Sequence, residues 1–235
     1  MVAFANGWGV PVNRKRATAF TCRSGELSHA EWEDTVGFLA SPENAAKPYL
    51  FCDHTTSGAH GGQCAAFDED KVQVARDRKL AQLEAGFTPA QNAAFASLQK
   101  TSEAYIDSHA RDEQDMSGTL RGAFYVEESS SLHEVFLKAL EDFEHGKLPS
   151  KDDLAEADKT LNATYREILT ATDWSSTGTV APEGLRKTER LWLRYRDAWA
   201  AFGIARYPST RADDWKAWAT RARIATLKAG FRPFE

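Results

Sequence analysis

The feature that most constrains the fold is a regular spacing of large apolar residues near the C-terminus. Steps of three and four connect Leu185, Thr188, Trp192, Tyr195, Trp199 and Phe202. Side chains at this spacing lie on one face of an α-helix. Aromatic rings bury large areas and hold neighbouring helices together. The pattern therefore predicts that Trp192, Tyr195 and Trp199 belong to a buried core.

Similar spacing recurs over most of the chain after residue 63 and predicts an all-α protein. The expected helices cover about 64–84, 88–112, 117–146, 154–168, 182–202 and a final segment after Pro208. The buried face of the final helix is expected to carry Trp215, Trp218, Ala222, Ala225 and Ala229. Short connections make consecutive helices antiparallel. We therefore predict a helical bundle of two tandem three-helix units, 64–147 and 148–235.

The two predicted units resemble an internal repeat. The stretch ARDRKLAQL parallels EADKTLNAT, and LQKTSEAYIDSH parallels LRKTERLWLRYR. Self-similarity at a fixed offset is typical of repeated structural modules. Two unrelated amphipathic helices can also align this well, so both interpretations stay open.

Residues 1–63 differ from the rest and are expected to form a small irregular segment containing Cys and Gly. One short helix is predicted from Ser28 to about Ala40, because Ser28 and Glu31 have the spacing of a capping box. The remainder is expected to be irregular or to carry a short strand pair around Ala17–Cys22 and Pro48–Cys52. An individual contact surface is expected in this segment.

The stretch FCDHTTSGAHGGQC, residues 51–64, allows several interpretations. A disulfide between Cys52 and Cys64 would close a flexible loop and stabilise the fold by about 3 kcal/mol. Cys22 is a competing partner for either cysteine, and the odd count of three leaves one thiol over. In a reducing compartment all three cysteines would instead stay free thiols.

Metal binding or thiol catalysis is the alternative for the same stretch. Cys52, His54, His60 and Cys64 are suitable zinc ligands, but their spacing is not a common zinc pattern. A Cys–His pair is a possible nucleophile and base, although only Asp53 lies nearby in sequence as an orienting acid. No phosphate-binding loop, hydrolase elbow or metalloprotease motif occurs. We therefore predict no catalytic residue and no cofactor.

Charge is unevenly distributed along the chain. The net charge is −5, which gives no reason to expect general nucleic-acid binding. Residues 183–235 carry 12 Lys and Arg against 6 Asp and Glu, a net +6, so residues 1–182 carry −11. Arg186, Arg190 and Arg194 follow at intervals of four on the predicted exposed side of the fifth helix. They form either a solvated helix face or a binding stripe for an acidic protein surface.

Targeting signals are inconclusive. No run of about 18 apolar residues is present, so no transmembrane segment is expected. The first 20 residues lack the pattern of an intact secretory signal. The protein is then either cytoplasmic or located in the periplasm or cell envelope after removal of a signal.

The stretch from about residue 152 to 203 resembles the lysozyme-inhibitor LprI-like family of small helical bacterial proteins. That family has Leu-Asn-x-x-Tyr, a variable loop, and then Leu-x-x-x-Gln-x-x-Trp-x-x-Tyr-Arg-Asp. The matching residues are Leu161, Asn162, Tyr165, Leu185, Trp192, Tyr195, Arg196 and Asp197. Two positions depart from the pattern, since Glu189 replaces the usual Gln and Ala200 the usual Cys. The resemblance is fainter over about residues 65–145.

The resemblance implies function as well as fold. Members are typically exported to the bacterial envelope, some bind and block lysozyme, and similar domains occur near toxin–immunity loci. The implied partner is a cell-wall-degrading enzyme or a toxin, bound without turnover. Most motif residues suit packing, and the Tyr165 hydroxyl is a candidate hydrogen-bonding partner for Arg196 or Asp197 across the helix pair.

Overall fold

A computed structural model describes residues 1–231 and confirms the all-α prediction. Its α-helices are α1 (Val2–Asn6), α2 (Arg14–Thr21), α3 (His29–Ala40), α4 (Gly58–Glu84), α5 (Pro89–Asp112), α6 (Arg121–Glu144), α7 (Leu154–Ala171), α8 (Pro182–Arg206) and α9 (Ala212–Gly230). Two 3-10 turns, Pro42–Asn44 and Phe51–His54, lie between α3 and α4. The last four residues of the predicted unit 148–235 lie outside the described part.

The chain forms two compact units. The N-terminal unit contains Met1–Asp68 and Gly118–Ala123, and the C-terminal unit contains Glu69–Ser117 and the chain from Phe124 onward. In the C-terminal unit α5 packs chiefly along α8, and both α7 and α8 pack on α9. Helices on both sides of residue 147 share this unit, so the two three-helix units and the repeat stay predictions.

Among the helices of residues 1–231, none is both long enough and apolar enough to cross a bilayer.

Local capping signals confirm two of the predicted helix starts. Ser28 Oγ accepts the Glu31 N–H at 3.3 Å, and Glu31 Oε2 accepts the Ser28 N–H at 2.9 Å. Thr88 caps α5, and Pro89 takes its first position, where its missing N–H costs nothing. These signals act within four residues, so the sequence alone reveals them.

The predicted irregular segment with its strand pair is wrong in three respects. Three α-helices, not one, lie in residues 1–57, and α2 occupies most of the first predicted strand. Asn13 starts α2, because its side-chain oxygen accepts the Arg16 N–H at 2.9 Å. The second predicted strand ends in a 3-10 turn that begins at Phe51.

The glycine-rich stretch is helical, not a turn, so α4 begins six residues before the predicted start at residue 64. Its glycines allow another backbone segment of the same unit to approach closely. A Cβ on Gly58 would lie 2.4 Å from the Thr119 backbone, and one on Gly62 would lie 3.3 Å from Gly122 Cα. Glycine here serves backbone packing, which the sequence pattern could not distinguish from chain reversal.

The core of the C-terminal unit is rich in aromatic rings. Trp192, Trp199 and Trp215 are almost fully buried, which confirms the predicted helix faces for these residues. On α9, however, Ala222, Ala225 and Ala229 are exposed. The buried face instead includes Ala219, Thr220, Arg223, Ile224 and Leu227. The prediction of the α9 face was wrong because a buried arginine interrupts the apolar pattern.

Candidate functional site

Helix α8 has one buried and one exposed face. The buried face contains Leu185, Trp192 and Trp199, each at most 2% exposed. The arginine stripe, defined as Arg186, Arg190 and Arg194, is exposed as the spacing predicted. Because the three arginines are four residues apart, their Cα atoms span about 12 Å along the helix. The stripe is therefore a candidate surface for binding another protein.

The arginine stripe has few partners inside the protein. Arg186 Nη1 lies 3.2 Å from Glu183 Oε1, but both side chains are exposed, so the pair adds little stability. Within residues 1–231, Arg190 and Arg194 have no ion pair. The neighbouring Lys187, in contrast, has an ion pair within the protein, since its Nζ lies 2.6 Å from Asp112 Oδ2. Two guanidinium groups thus remain available to an acidic partner.

Tyr165 on α7 is partly buried against the cluster that contains Leu161, Leu185 and Trp192. Burial raises the pKa of its phenol, Glu189 raises it further, and Arg186 and Arg190 lower it.

The candidate hydrogen bond from Tyr165 to Arg196 or Asp197 does not form within residues 1–231. Arg196 instead donates to Asp158 of α7 at 3.1 Å and to Asp197 at 3.3 Å. Asp197 also lies 3.1 Å from Lys216 Nζ on α9. The Arg-Asp pair of the motif therefore connects α8 to α7 and α9.

Most other motif residues pack in the core. Leu161, Leu185 and Trp192 share one buried cluster, and Tyr165 packs against it. The ring of Tyr195 stacks on that of Tyr105, with centroids 5.3 Å apart. Asn162 is exposed. Most of the motif therefore contributes to the buried core of the C-terminal unit.

The structure also contains a buried charged network that the sequence analysis missed. Arg223 donates to both carboxylate oxygens of Glu113, at 2.9 and 2.5 Å, and to Glu189 at 3.1 Å. His109 is 2.8 Å from Glu113 through Nδ1 and 3.0 Å from Glu128 through Nε2. One observation could have suggested the network, because Glu189 stands where the family usually has an uncharged Gln.

Burial and pairing shift the pKa values of this network in different directions. Burial alone would raise the pKa of Glu113, but Arg223 and His109 lower it to about 2. Burial outweighs Arg223 at Glu189 and raises the pKa of its carboxyl. Burial lowers the pKa of His109, yet its two carboxylate neighbours raise it overall. The network thus holds the Glu113 carboxylate between the Arg223 guanidinium and the His109 imidazole.

The 52–64 stretch contains a disulfide. Cys52 and Cys64 are bonded, with Cα atoms 5.7 Å apart, and Cys22 is a free, exposed cysteine. A disulfide sulfur is neither a thiolate ligand nor a nucleophile. The disulfide interpretation is therefore confirmed, and the pairing excludes the competing partner Cys22.

The two histidines of this stretch bind different acids. His54 Nδ1 lies 2.6 Å from Asp34 Oδ2, and its ring stacks on Tyr49. His60 Nδ1 lies 3.0 Å from Glu31 Oε2. The metal alternative required Cys52, His54, His60 and Cys64 to converge. No metal-binding group of three or more His, Cys, Asp or Glu occurs within residues 1–231.

Sequence spacing could not reveal the acidic partners of these histidines. Asp34 is 20 residues from His54, and Glu31 is 29 residues from His60. Burial would raise the pKa of Glu31, but hydrogen bonds from Ser57, Ser28 and His60 lower it overall. Glu31 is fully buried and joins α3 to the start of α4.

The cysteine state predicts a thiol count. Denatured but unreduced protein is expected to react with a thiol reagent at one site per chain, that of Cys22. Cys22→Ser should reduce the count to none. A count of three, equal to all cysteines of the sequence, would contradict the disulfide and support a reducing compartment.

Comparison with known proteins gives one match, which covers the C-terminal part of the chain. No curated protein and no solved structure matches the chain. The model of the family described as lysozyme inhibitor LprI matches residues 150–227, about one third of the chain, from just before α7 to near the end of α9. Residues 150–227 are therefore similar to the lysozyme inhibitor LprI family, which confirms the resemblance inferred from the α7 and α8 motif.

Proposed function

We propose that the protein is a non-enzymatic binding protein that inhibits a lysozyme-type enzyme, with a secreted antibacterial toxin as the second possible target. The match of residues 150–227 to a lysozyme-inhibitor family is the observation that carries this proposal. A location in the periplasm or cell envelope fits the Cys52–Cys64 disulfide, because disulfides persist in oxidising compartments.

We propose the arginine stripe as the contact with the target. Glycosidases of the lysozyme type use two carboxyl groups that flank the scissile bond, so their cleft presents acidic side chains. Guanidinium groups form paired hydrogen bonds with carboxylates. Arg190 and Arg194 have no internal ion pair within residues 1–231 and are exposed, so they can reach such a cleft without breaking the fold.

Charge reversal tests the stripe. The double variant Arg190→Glu/Arg194→Glu is expected to fold normally, because both side chains are exposed. Its association rate with the target should fall by about tenfold or more at low salt, since opposed charges chiefly accelerate association. High salt should bring the two rates together. Binding kinetics and inhibition of cell-wall lysis are the measurements.

A matched control uses cations elsewhere on the C-terminal unit. Arg78→Glu/Lys100→Glu makes the same change in net charge at exposed positions on α4 and α5. It should slow association much less than reversal of the stripe. Equal rates for the stripe variant and the wild type would exclude the stripe and move the search to residues 1–63.

Two results would contradict the inhibitor function itself. One is failure of the wild-type protein to bind or inhibit any lysozyme-type enzyme or toxin tested. The other is a measurable turnover that is lost on changing Cys64 or His60 while binding is retained, which would favour an enzyme.

A further inference from the structure

The surface of the N-terminal unit has a patch of apolar and cationic side chains, most of which are exposed. We define the basic aromatic patch as Phe4, Trp8, Val12, Lys15, Arg16 and Phe20. The rings of Phe4 and Phe20 stack with centroids 5.5 Å apart, and the Arg16 guanidinium lies 4.5 Å from the Phe4 centroid. The Asn13 N–H donates to the Phe4 carbonyl at 2.7 Å, which folds the chain after α1 back onto it.

These contacts join Phe4, Arg16 and Phe20 into one group. Val12, Arg16 and Phe20 are four residues apart, and Arg16 and Phe20 lie on one face of α2. A Cβ on Gly7 would lie 2.8 Å from Val12 Cγ2, which places Val12 beside the end of α1. Single exposed apolar residues are normal, whereas a contiguous group marks an interaction site.

Only Phe4 of the patch packs against the core of this unit, where it is partly buried. The core buries Ala5, Ala17, Leu39 and Tyr49. Trp8 is 58% exposed, Val12 61% and Phe20 41%. Ala5 of α1 and Ala17 of α2 are therefore buried, while Trp8, Val12 and Phe20 face solvent.

The patch is also locally positive. Residues 1–25 contain Arg14, Lys15, Arg16 and Arg23 and no Asp or Glu, a side-chain charge of +4. The rest of the chain then carries −9, since the total is −5. Arg14 is used internally, where it donates to the carbonyls of Asn44 and Lys47. Lys15, Arg16 and Arg23 are exposed.

We propose that the basic aromatic patch docks on the surface of an anionic lipid bilayer. Trp and Phe rings partition into the headgroup region, and neighbouring Lys and Arg side chains are attracted to anionic lipids. An aromatic ring, an aliphatic side chain and cations, in a segment without Asp or Glu, match the composition of a bilayer-binding surface, and binding to a protein is the alternative outcome of the test. The attachment is peripheral, and it does not depend on the proposed inhibition of a cell-wall enzyme.

Vesicle binding by the full chain tests the proposal. Co-sedimentation should show about tenfold stronger binding to phosphatidylcholine vesicles containing one third phosphatidylglycerol than to phosphatidylcholine alone. Higher salt should weaken this binding. No binding to either vesicle, or equal binding to both, would overturn the proposal. Absence of all vesicle binding would point to a protein partner for the patch.

Two variants separate the apolar and cationic contributions. Trp8→Ser/Val12→Ser and Lys15→Glu/Arg16→Glu should each lose most of the binding to anionic vesicles. Matched controls are Val72→Ser/Val74→Ser and Arg78→Glu/Lys100→Glu, which change exposed positions on α4 and α5. Unchanged melting temperatures show that the variants fold. A similar loss in the controls would overturn the proposal, and inhibition of the cell-wall enzyme should be the same in all four.

Discussion

Replacing Arg223 with methionine is expected to lower the free energy of unfolding by about 3–5 kcal/mol, the cost of removing one partner from a buried ion pair. Arg223 is 1% exposed and donates to both Glu113 and Glu189. Methionine fills a similar volume without charge. The loss of stability therefore measures the cost of leaving the carboxylates of Glu113 and Glu189 in the core without their cationic partner. Denaturant unfolding of both proteins at neutral pH provides the measurement.

Arg221 provides a matched control on the same helix. It lies two residues from Arg223, is 49% exposed in its side chain and pairs with Asp152. Arg221→Met is expected to cost less than about 1 kcal/mol, as for an exposed ion pair. Equal costs at the two positions would show that burial adds nothing to the Arg223 pairs. Adding Glu113→Gln and Glu189→Gln to Arg223→Met should restore part of the lost stability.

Acid unfolding provides a second measurement on the network. The pKa of Glu113 falls from 4.5 to about 2 on folding, so Glu113 contributes stability above pH 4.5 that is lost as the pH falls through about 2. Glu113→Gln should lack this component of the acid-dependent loss. Glu189 has the opposite effect on the pH dependence of stability. Burial raises the pKa of its carboxyl, so its contribution to stability is lost as the pH rises through that pKa. Comparing Glu113→Gln with the wild type isolates Glu113.

Sequence reasoning succeeded where the determining forces are local. The capping residues of α3 and α5 act within one helical turn, and the apolar spacing of α8 repeats within the helix itself. The Cys52–Cys64 pair closes a stretch short enough to be considered from the sequence. These features could be predicted without knowing which helices are neighbours.

It failed where contacts join distant residues. Arg223 is 110 residues from Glu113, so nothing near α9 indicated that an arginine would be buried there. The side chain of Asn6 pairs with the backbone N–H and carbonyl of Tyr49, 43 residues away. That contact holds the predicted second strand region against α1. The binding role of the arginine stripe stays a prediction, since exposure permits contact but does not identify a partner.

Trp192→Ala is expected to destabilise the protein by about 3–5 kcal/mol, as for deletion of a large buried ring. Trp192 is 2% exposed and belongs to a cluster with Leu161, Leu185 and Ile224. The Arg196 guanidinium lies 5.5 Å from its ring centroid, so the substitution also removes a cation–π contact. Thermal and denaturant unfolding are the measurements.

The next residue along α8 is the control for this prediction. Leu193 is 39% exposed, so Leu193→Ala removes far less buried surface and should cost well under half as much. Because the arginine stripe lies on the exposed side of the same helix, the two kinds of variant separate packing from binding. The Trp192→Ala protein should melt at a lower temperature than the wild type. At temperatures where it is still folded, it should bind its target normally. A Trp192→Ala protein that melts like the wild type yet fails to bind would place Trp192 in the interface, and the family motif would then mark a contact surface instead of a core.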